Sequence, residues 1–174
     1  MRTLNTPSRF ISMALVISFA AIATALVLEH IGGYLPCELC YKGRISHYVG
    51  IPVLLLTLSW AASPYRKMGS MLVLSPFTYS YSLVISIYHA GAEWKFWEGP
   101  SSCGSINLRA GVDAENLLAM LQNTKVVSCT DPAFRILGLS LAGMNALVCA
   151  AIMGLLIAAL IKCRSSKPSD FDCA

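Results

Sequence analysis

Apolar residues fall in long blocks along this chain, uncharged apart from Arg135 at the start of the last, separated by polar segments, and the block lengths carry the first inference. The blocks cover residues 10–28, 45–62, 70–91 and 134–161. Each is close to or longer than the ~20 residues that an α-helix needs to cross a hydrocarbon core. A segment in lipid must satisfy its own backbone N–H and C=O groups, so such blocks are predicted to be helices. The expected architecture is an all-α membrane protein: a four-helix transmembrane bundle in a single integral membrane domain, residues 1–174, with outer loops 29–44 and 92–133. In the second loop Asp113 is a plausible N-cap, with Leu117, Leu118, Met120 and Leu121 clustered behind it. That pattern predicts a short amphipathic helix over 113–122, lying on the membrane surface. Pro52 interrupts the second block, which membrane helices tolerate because neighbours satisfy the freed carbonyl. Small residues from Ala20 to Ala25 resemble a signal-peptide cleavage region. The apolar core of a signal peptide is only about 7 to 15 residues, however, so a retained first span is the preferred reading.

Composition agrees with this. The 174 residues are 56% hydrophobic and 13% charged, with a mean hydropathy of +0.63, too apolar for an ordinary soluble domain. The net charge of +4 comes from basic residues scattered through the polar segments rather than gathered in a stripe, so no nucleic-acid partner is expected. Four spans put both termini on one side. Arg2, Arg9, Arg66, Lys67, Lys162, Arg164 and Lys167 lie on that side, and of the nine carboxylates only Asp170 and Asp172 do. The positive-inside rule then places the termini in the cytoplasm. Cys37, Cys40, Cys103 and Cys129 are left in the disulfide-permissive compartment, Cys163 and Cys173 on the reducing side.

The chemistry concentrates in Pro36-Cys37-Glu38-Leu39-Cys40-Tyr41-Lys42-Gly43-Arg44. A Cys-x-x-Cys pair is a redox or metal unit, because two intervening residues let the sulfurs close a small disulfide or share an ion. Both thiols fall near the start of a predicted helix, with Arg44 one turn beyond Cys40 on the same face. A guanidinium and the positive end of the helix dipole both favour thiolate there. Arg44 would otherwise be a plain headgroup anchor. His89 falls near the outer end of the third span at a depth similar to that of Arg44, and an ionisable residue within a span is a functional candidate. His47, three residues past Arg44, ranks below it, and His30 has no evident partner. Trp94, Phe96 and Trp97 read as an interfacial aromatic belt, and Cys149 as a small apolar residue.

A disulfide between Cys103 and Cys129 would close a moderate loop, and a structural staple of that size is worth roughly 3 kcal/mol. Exposed disulfides beside a second cysteine pair tend instead to be exchangeable, and two pairs on one face point to a relay. Four cysteines could also close a zinc site. The second pair lacks Cys-x-x-Cys spacing and an oxidising compartment disfavours four standing thiolates, so no metal is expected.

The chain resembles the DsbB family of membrane disulfide-bond-formation proteins. The resemblance runs over nearly the whole length, through Cys37-Glu38-Leu39-Cys40 with Arg44, His89 upstream of Pro100 and Cys103, and Cys129 followed by Leu137-Gly138-Leu139. It implies a thiol:quinone oxidoreductase of the bacterial inner membrane, with its active cysteines in the periplasm. Catalytic roles would fall to Cys37, Cys40, Cys103 and Cys129, and binding of ubiquinone or menaquinone to Arg44, His89 and His47. The implied route starts when a periplasmic DsbA-like thioredoxin-fold dithiol attacks Cys103. Cys129 is released to attack Cys37, and the freed Cys40 thiolate donates to the membrane quinone pool. This relay is the known behaviour of the DsbA–DsbB–quinone system and no deduction from these residues. Its energetics make sense of an acceptor: a DsbA-like partner is strongly oxidising, at about −120 mV, so an ordinary dithiol near about −270 mV could accept its electrons only uphill by several kcal/mol. Alternatives from other classes are a vitamin K epoxide reductase-like enzyme, whose Cys-x-x-Cys belongs in a late span, and a non-enzymatic metal-binding or assembly protein of the membrane.

Overall fold

The computed structural model describes residues 6–61, 68–100, 125–126, 135–136 and 138–165. Within them four long helices dominate: α1 Thr6–His30, α2 Glu38–Ala61, α3 Met68–Glu93 and α4 Leu141–Ser165. At 1.5 Å per residue each is about 36–39 Å long, enough to cross a hydrocarbon core of about 30 Å. By length and composition, α1 over Pro7–His30 and α4 over Leu141–Cys163 qualify as membrane spans. The other two are as long but richer in serine, tyrosine and histidine, and those groups explain the packing. Each helix packs on its chain neighbours and α4 returns to α1, so the bundle closes as a ring.

The bundle is inverted relative to a water-soluble one. Val16, Phe19, Phe77, Val84, Leu147 and Ile161 are exposed on its outer faces, while Ser18, His47, Ser75, Ser82 and Ser86 are buried. A soluble domain arranges these types the other way round. In lipid the apolar surface is at no disadvantage, and polar groups turn inward to find one another.

Two layers fill the interior. At the end remote from Cys37, an apolar core joins Ile11 and Ala14 of α1, Leu54 of α2, Leu72 and Tyr79 of α3, and Ile152, Leu156, Ala159 and Cys163 of α4. Gly50 lets Tyr79 enter: a Cβ on it would stand 2.5 Å from the Tyr79 hydroxyl. Above this lies a polar layer. The Tyr79 hydroxyl donates to Ser18 Oγ at 2.8 Å, Ser18 Oγ lies 2.9 Å from His47 Nδ1, and His47 Nε2 lies 3.2 Å from Asn145 Oδ1. Asn145 Nδ2 donates to Ser86 Oγ at 2.7 Å, and Ser82 donates to the Gly43 carbonyl at 2.7 Å. All four helices are thereby cross-linked at mid-depth.

The connections at the Cys37 end are also ordered by short pairings. Strand β1, Tyr34–Leu35, runs parallel to β2, Lys125–Val126, with Leu35 opposite Val126. Strands β3, Arg135–Ile136, and β4, Leu139–Ser140, pair antiparallel just before α4. Helix α4 therefore begins at Leu141 and not at residue 134, where the apolar block starts. Gly138 takes φ +83 at the turn between β3 and β4, and Ser140 Oγ accepts the Gly143 N–H at 3.1 Å as an N-cap. Hydropathy cannot distinguish an apolar hairpin from an apolar first turn. The surface helix expected over 113–122 lies outside the described residues, as do Cys103, Cys129 and Cys173.

Candidate redox site

Chain geometry places Cys37 at the mouth of α2. Its carbonyl accepts the Tyr41 N–H at 3.0 Å and its Sγ accepts the Cys40 N–H at 3.2 Å, so Cys37 is the N-cap of α2. Pro36 before it cannot extend a helix backwards, and Glu38 in the first turn suits the dipole and pairs with Lys42 at 2.6 Å. The Cys40 thiol, one turn inward, donates to Cys37 Sγ at 3.0 Å.

From α3, His89 brings Nε2 to 3.7 Å from Cys37 Sγ. The same nitrogen is 3.6 Å from Oε1 of Glu93, one turn further along α3. Relative exposures of 8% for Cys37, 3% for His89 and 5% for Glu93 put all three out of solvent. A carboxylate this deep is costly unless it serves a partner. Glu93 is the last residue of α3, which ends in a Schellman-type turn: Phe96 N–H bonds the Gly91 carbonyl at 2.9 Å and Lys95 N–H the Ala92 carbonyl at 3.1 Å. Trp97 then folds back, its Nε1 donating to the Tyr88 carbonyl at 2.8 Å and its ring stacked on Tyr88. Gly91 accommodates that ring, because a Cβ there would collide with it.

The two sulfurs are electrostatically unequal. Cys37 is pulled down from an ordinary 9.0 to about 4, first by the thiol of Cys40 donating to it, against burial, and then by His89 and the Cys40 N–H. Cys40 is pushed up, first because its proton is held toward Cys37, then by burial and by the negative Cys37 sulfur; Arg44 acts weakly the other way. The sequence places both thiols in one favourable field, whereas the cap geometry directs most of that field to Cys37.

Arg44 turns toward α1, ion-paired with Glu29 and with Nη2 3.5 Å from the Ala25 carbonyl. His47 lies about 10 Å beyond Cys40 along α2, in the polar layer against Ser18 and Asn145. It is therefore part of the cross-link between helices, and its recorded contacts do not reach the two sulfurs. The geometry brings together Cys37, Cys40 and His89, keeps Arg44 one turn away beside α1, and seats His47 deeper. Two residues absent from the sequence-based candidates enter the site, Glu93 and Glu29. Glu93 carried a signal, being a carboxylate four residues past a candidate histidine on one helix. Glu29 carried only that of a charge closing the first span.

The donor atoms of Cys37, Cys40 and His89 all lie within 4.8 Å of one another. Cys149 is a free thiol in the polar layer, 3.9 Å from His47 Nε2. Cys163, at the far end of α4, is disulfide-bonded.

Fold and site define a class: a helical membrane bundle carrying a buried dithiol and a histidine at one end. The chain matches the family described as Disulfide bond formation protein DsbB over residues 7–159, and it belongs to that family. It is accordingly a membrane protein of disulfide-bond formation. Over 136 residues it is 30% identical to Uncharacterized protein RP370 of Rickettsia prowazekii (strain Madrid E), covering 77% of this chain and 76% of that protein. No solved structure matches the chain.

Proposed function

We propose that the protein is a thiol oxidase of the bacterial inner membrane. It re-oxidises a periplasmic DsbA-like dithiol through Cys103–Cys129 and Cys37–Cys40 and delivers the electrons to membrane quinone. Both termini are cytoplasmic in this reading. The observation that carries it is the Cys37–Cys40–His89 cluster, two inequivalent sulfurs and an imidazole buried at the end of the bundle where β1 and β2 pair. The pairing of β1 with β2 supports the relay, since it ties the segment leading into Cys37, two residues past Leu35, to the second outer loop at Lys125–Val126.

The partner's thiolate attacks Cys103 Sγ and breaks the Cys103–Cys129 bond; the released Cys129 thiolate attacks Cys37 Sγ and breaks the Cys37–Cys40 bond, leaving Cys40 as thiolate. That last inversion has a physical cause in the geometry. Cys40 is held protonated chiefly by Cys37, and a Cys37 engaged in a disulfide can no longer accept its hydrogen bond or carry charge. The Arg44 guanidinium and the helix dipole then act on Cys40 without opposition. The partner's second thiolate then attacks the mixed disulfide and leaves as oxidised partner, and the released Cys103 thiolate attacks Cys129 Sγ, which re-forms Cys103–Cys129 and frees Cys37. Loss of two electrons from the Cys37–Cys40 dithiol to quinone then re-forms the Cys37–Cys40 bond.

The residues beside Cys40 fit a quinone. Arg44 has five N–H donors, more than Glu29 and Ala25 engage, and Tyr41 and Ile45 expose apolar surface on the adjoining face of α2. Arg44 and His89 would hold the head group, with His47 the more remote candidate. When bound, a quinone supplies a two-electron, two-proton acceptor. The chain's part is to present a thiolate at Cys40, with Glu93 against the His89 ring.

The test is oxidation of a reduced thioredoxin-fold protein by purified enzyme with added quinone, followed as quinone consumed. Wild type is expected to turn over, and Cys40→Ser and Cys103→Ser to abolish it. A Cys129→Ser protein should trap the partner as a disulfide at Cys103. Quinone consumption that persists in Cys40→Ser would overturn the reading.

A further inference from the structure

We propose that the reduced dithiol and His89 form a binding site for a soft divalent cation, Zn2+ or Cd2+, and that its occupancy arrests the enzyme in the reduced state. This rests on Cys37–Cys40 being the dithiol of the reaction above. Neither Cys103 nor Cys129 is needed, which separates the site from a four-cysteine centre.

The geometry is near that of a metal site before any ion arrives. Zinc–sulfur bonds of about 2.3 Å and zinc–nitrogen bonds of about 2.0–2.1 Å at tetrahedral angles separate the ligand atoms by about 3.5–3.8 Å. Cys37 Sγ and His89 Nε2 already stand 3.7 Å apart. The two sulfurs, at 3.0 Å, must open by less than about 1 Å, within reach of a small rotation at Cys40 Cβ. Glu93 Oε1, 3.6 Å from the same Nε2, stands where a fourth donor belongs. Charge selects the ion: a dication offsets the two thiolates, which without it are costly to bury together. Binding displaces the proton that Cys40 directs toward Cys37, so that both sulfurs bind as thiolates. No electron moves, and both sulfurs remain reduced. The disulfide form offers no thiolate, so the ion recognises only the reduced protein. It also occupies the sulfur pair whose bond must re-form for turnover, and His89 with it.

The probe is Cd2+ titrated into the full-length Cys103→Ser, Cys129→Ser protein in detergent. The protein is reduced with a phosphine, and binding is read from sulfur-to-cadmium charge-transfer absorption and from protection of thiols against alkylation. One Cd2+ per chain is expected in the reduced protein and none after oxidation. Binding should be lost in Cys40→Ser and unchanged in Cys149→Ser. His89→Ala should weaken it by more than about tenfold, since even the loss of an outer-shell partner costs about 10–100-fold. In the wild-type enzyme, Zn2+ should stop dithiol oxidation and a chelator restore it. Absence of Cd2+ binding to the reduced thiols, or binding that survives Cys40→Ser, overturns the proposal even if His89→Ala fails to fold. The two ideas fail separately. Metal-free enzyme that oxidises dithiols but binds no Cd2+ sinks the metal site alone, and Cd2+ binding without dithiol oxidation sinks the oxidase reading.

Discussion

At the scale of single residues, the decisive feature is that Cys37 caps a helix while Cys40 lies inside it. The cap gives Cys37 a backbone N–H, a thiol donor and an imidazole. In the reduced protein its folded value of about 4 lies below the ordinary 9.0. Folding therefore releases a proton from Cys37, and the stabilisation from its thiolate is complete above 9.0 and is lost as pH falls through about 4. Brief alkylation of reduced protein at about pH 6 should modify Cys37 and spare Cys40, with peptide mapping as the readout; equal labelling of the two would refute the asymmetry. Glu93 makes its own prediction. Glu93→Gln keeps the shape but removes the charge beside His89, and dithiol oxidation should slow by about tenfold, on the order of 1.4 kcal/mol. The change should appear in kcat and its pH profile rather than in partner KM. The candidates Cys37, Cys40, Arg44 and His89 could be read from residue type and spacing. Glu29 could not, because a carboxylate at the end of a span reads equally well as a topological counter-charge, and Glu93 offered only its spacing of four residues from His89.

At the scale of elements, the two polar-rich helices are shaped by what they face. Gly50 of α2 is a seat for Tyr79 of α3, and Tyr79 in turn anchors Ser18 and, through it, His47. Gly50→Ala forces the ring out and should cost about 1–3 kcal/mol, measured as a lowered thermal midpoint in detergent. Single hydrogen-bond deletions in the same layer are expected to cost less: Ser18→Ala should lose about 0.6 kcal/mol and no more than about 1.7, the range seen for interhelical bonds in membranes. The period of an apolar block predicts that α2 and α3 are helices. It does not say which serine meets which carbonyl, since that depends on the rotation of each helix against its neighbour.

At the scale of the whole molecule, lipid accounts for the inversion of polar and apolar surface, and the proposed orientation follows from the placement of Lys and Arg. That orientation puts Cys163 at the cytoplasmic end. A single cysteine introduced beside that end, Ser165→Cys in a variant lacking the native cysteines, reports the orientation directly. Labelling of intact cells with a membrane-permeant maleimide, but not an impermeant one, is the expected result at that position. Reaction with the impermeant reagent would reverse the assigned orientation.

The sequence by itself determined the class of molecule. Block length, the charge bias and the Cys-x-x-Cys with Arg44 and His89 already define a helical membrane protein resembling the DsbB family, and the family match over residues 7–159 agrees. These are local properties, set by the cost of exposing a backbone or a charge to lipid. Only the tertiary structure decided which of two neighbouring sulfurs is the favoured thiolate, that Glu93 stands behind His89, that Arg44 faces Glu29, and that His47 belongs to the mid-depth network. Each depends on how one helix is rotated and capped against another, to within an ångström or two. The hydrophobic pattern constrains that rotation only to a face.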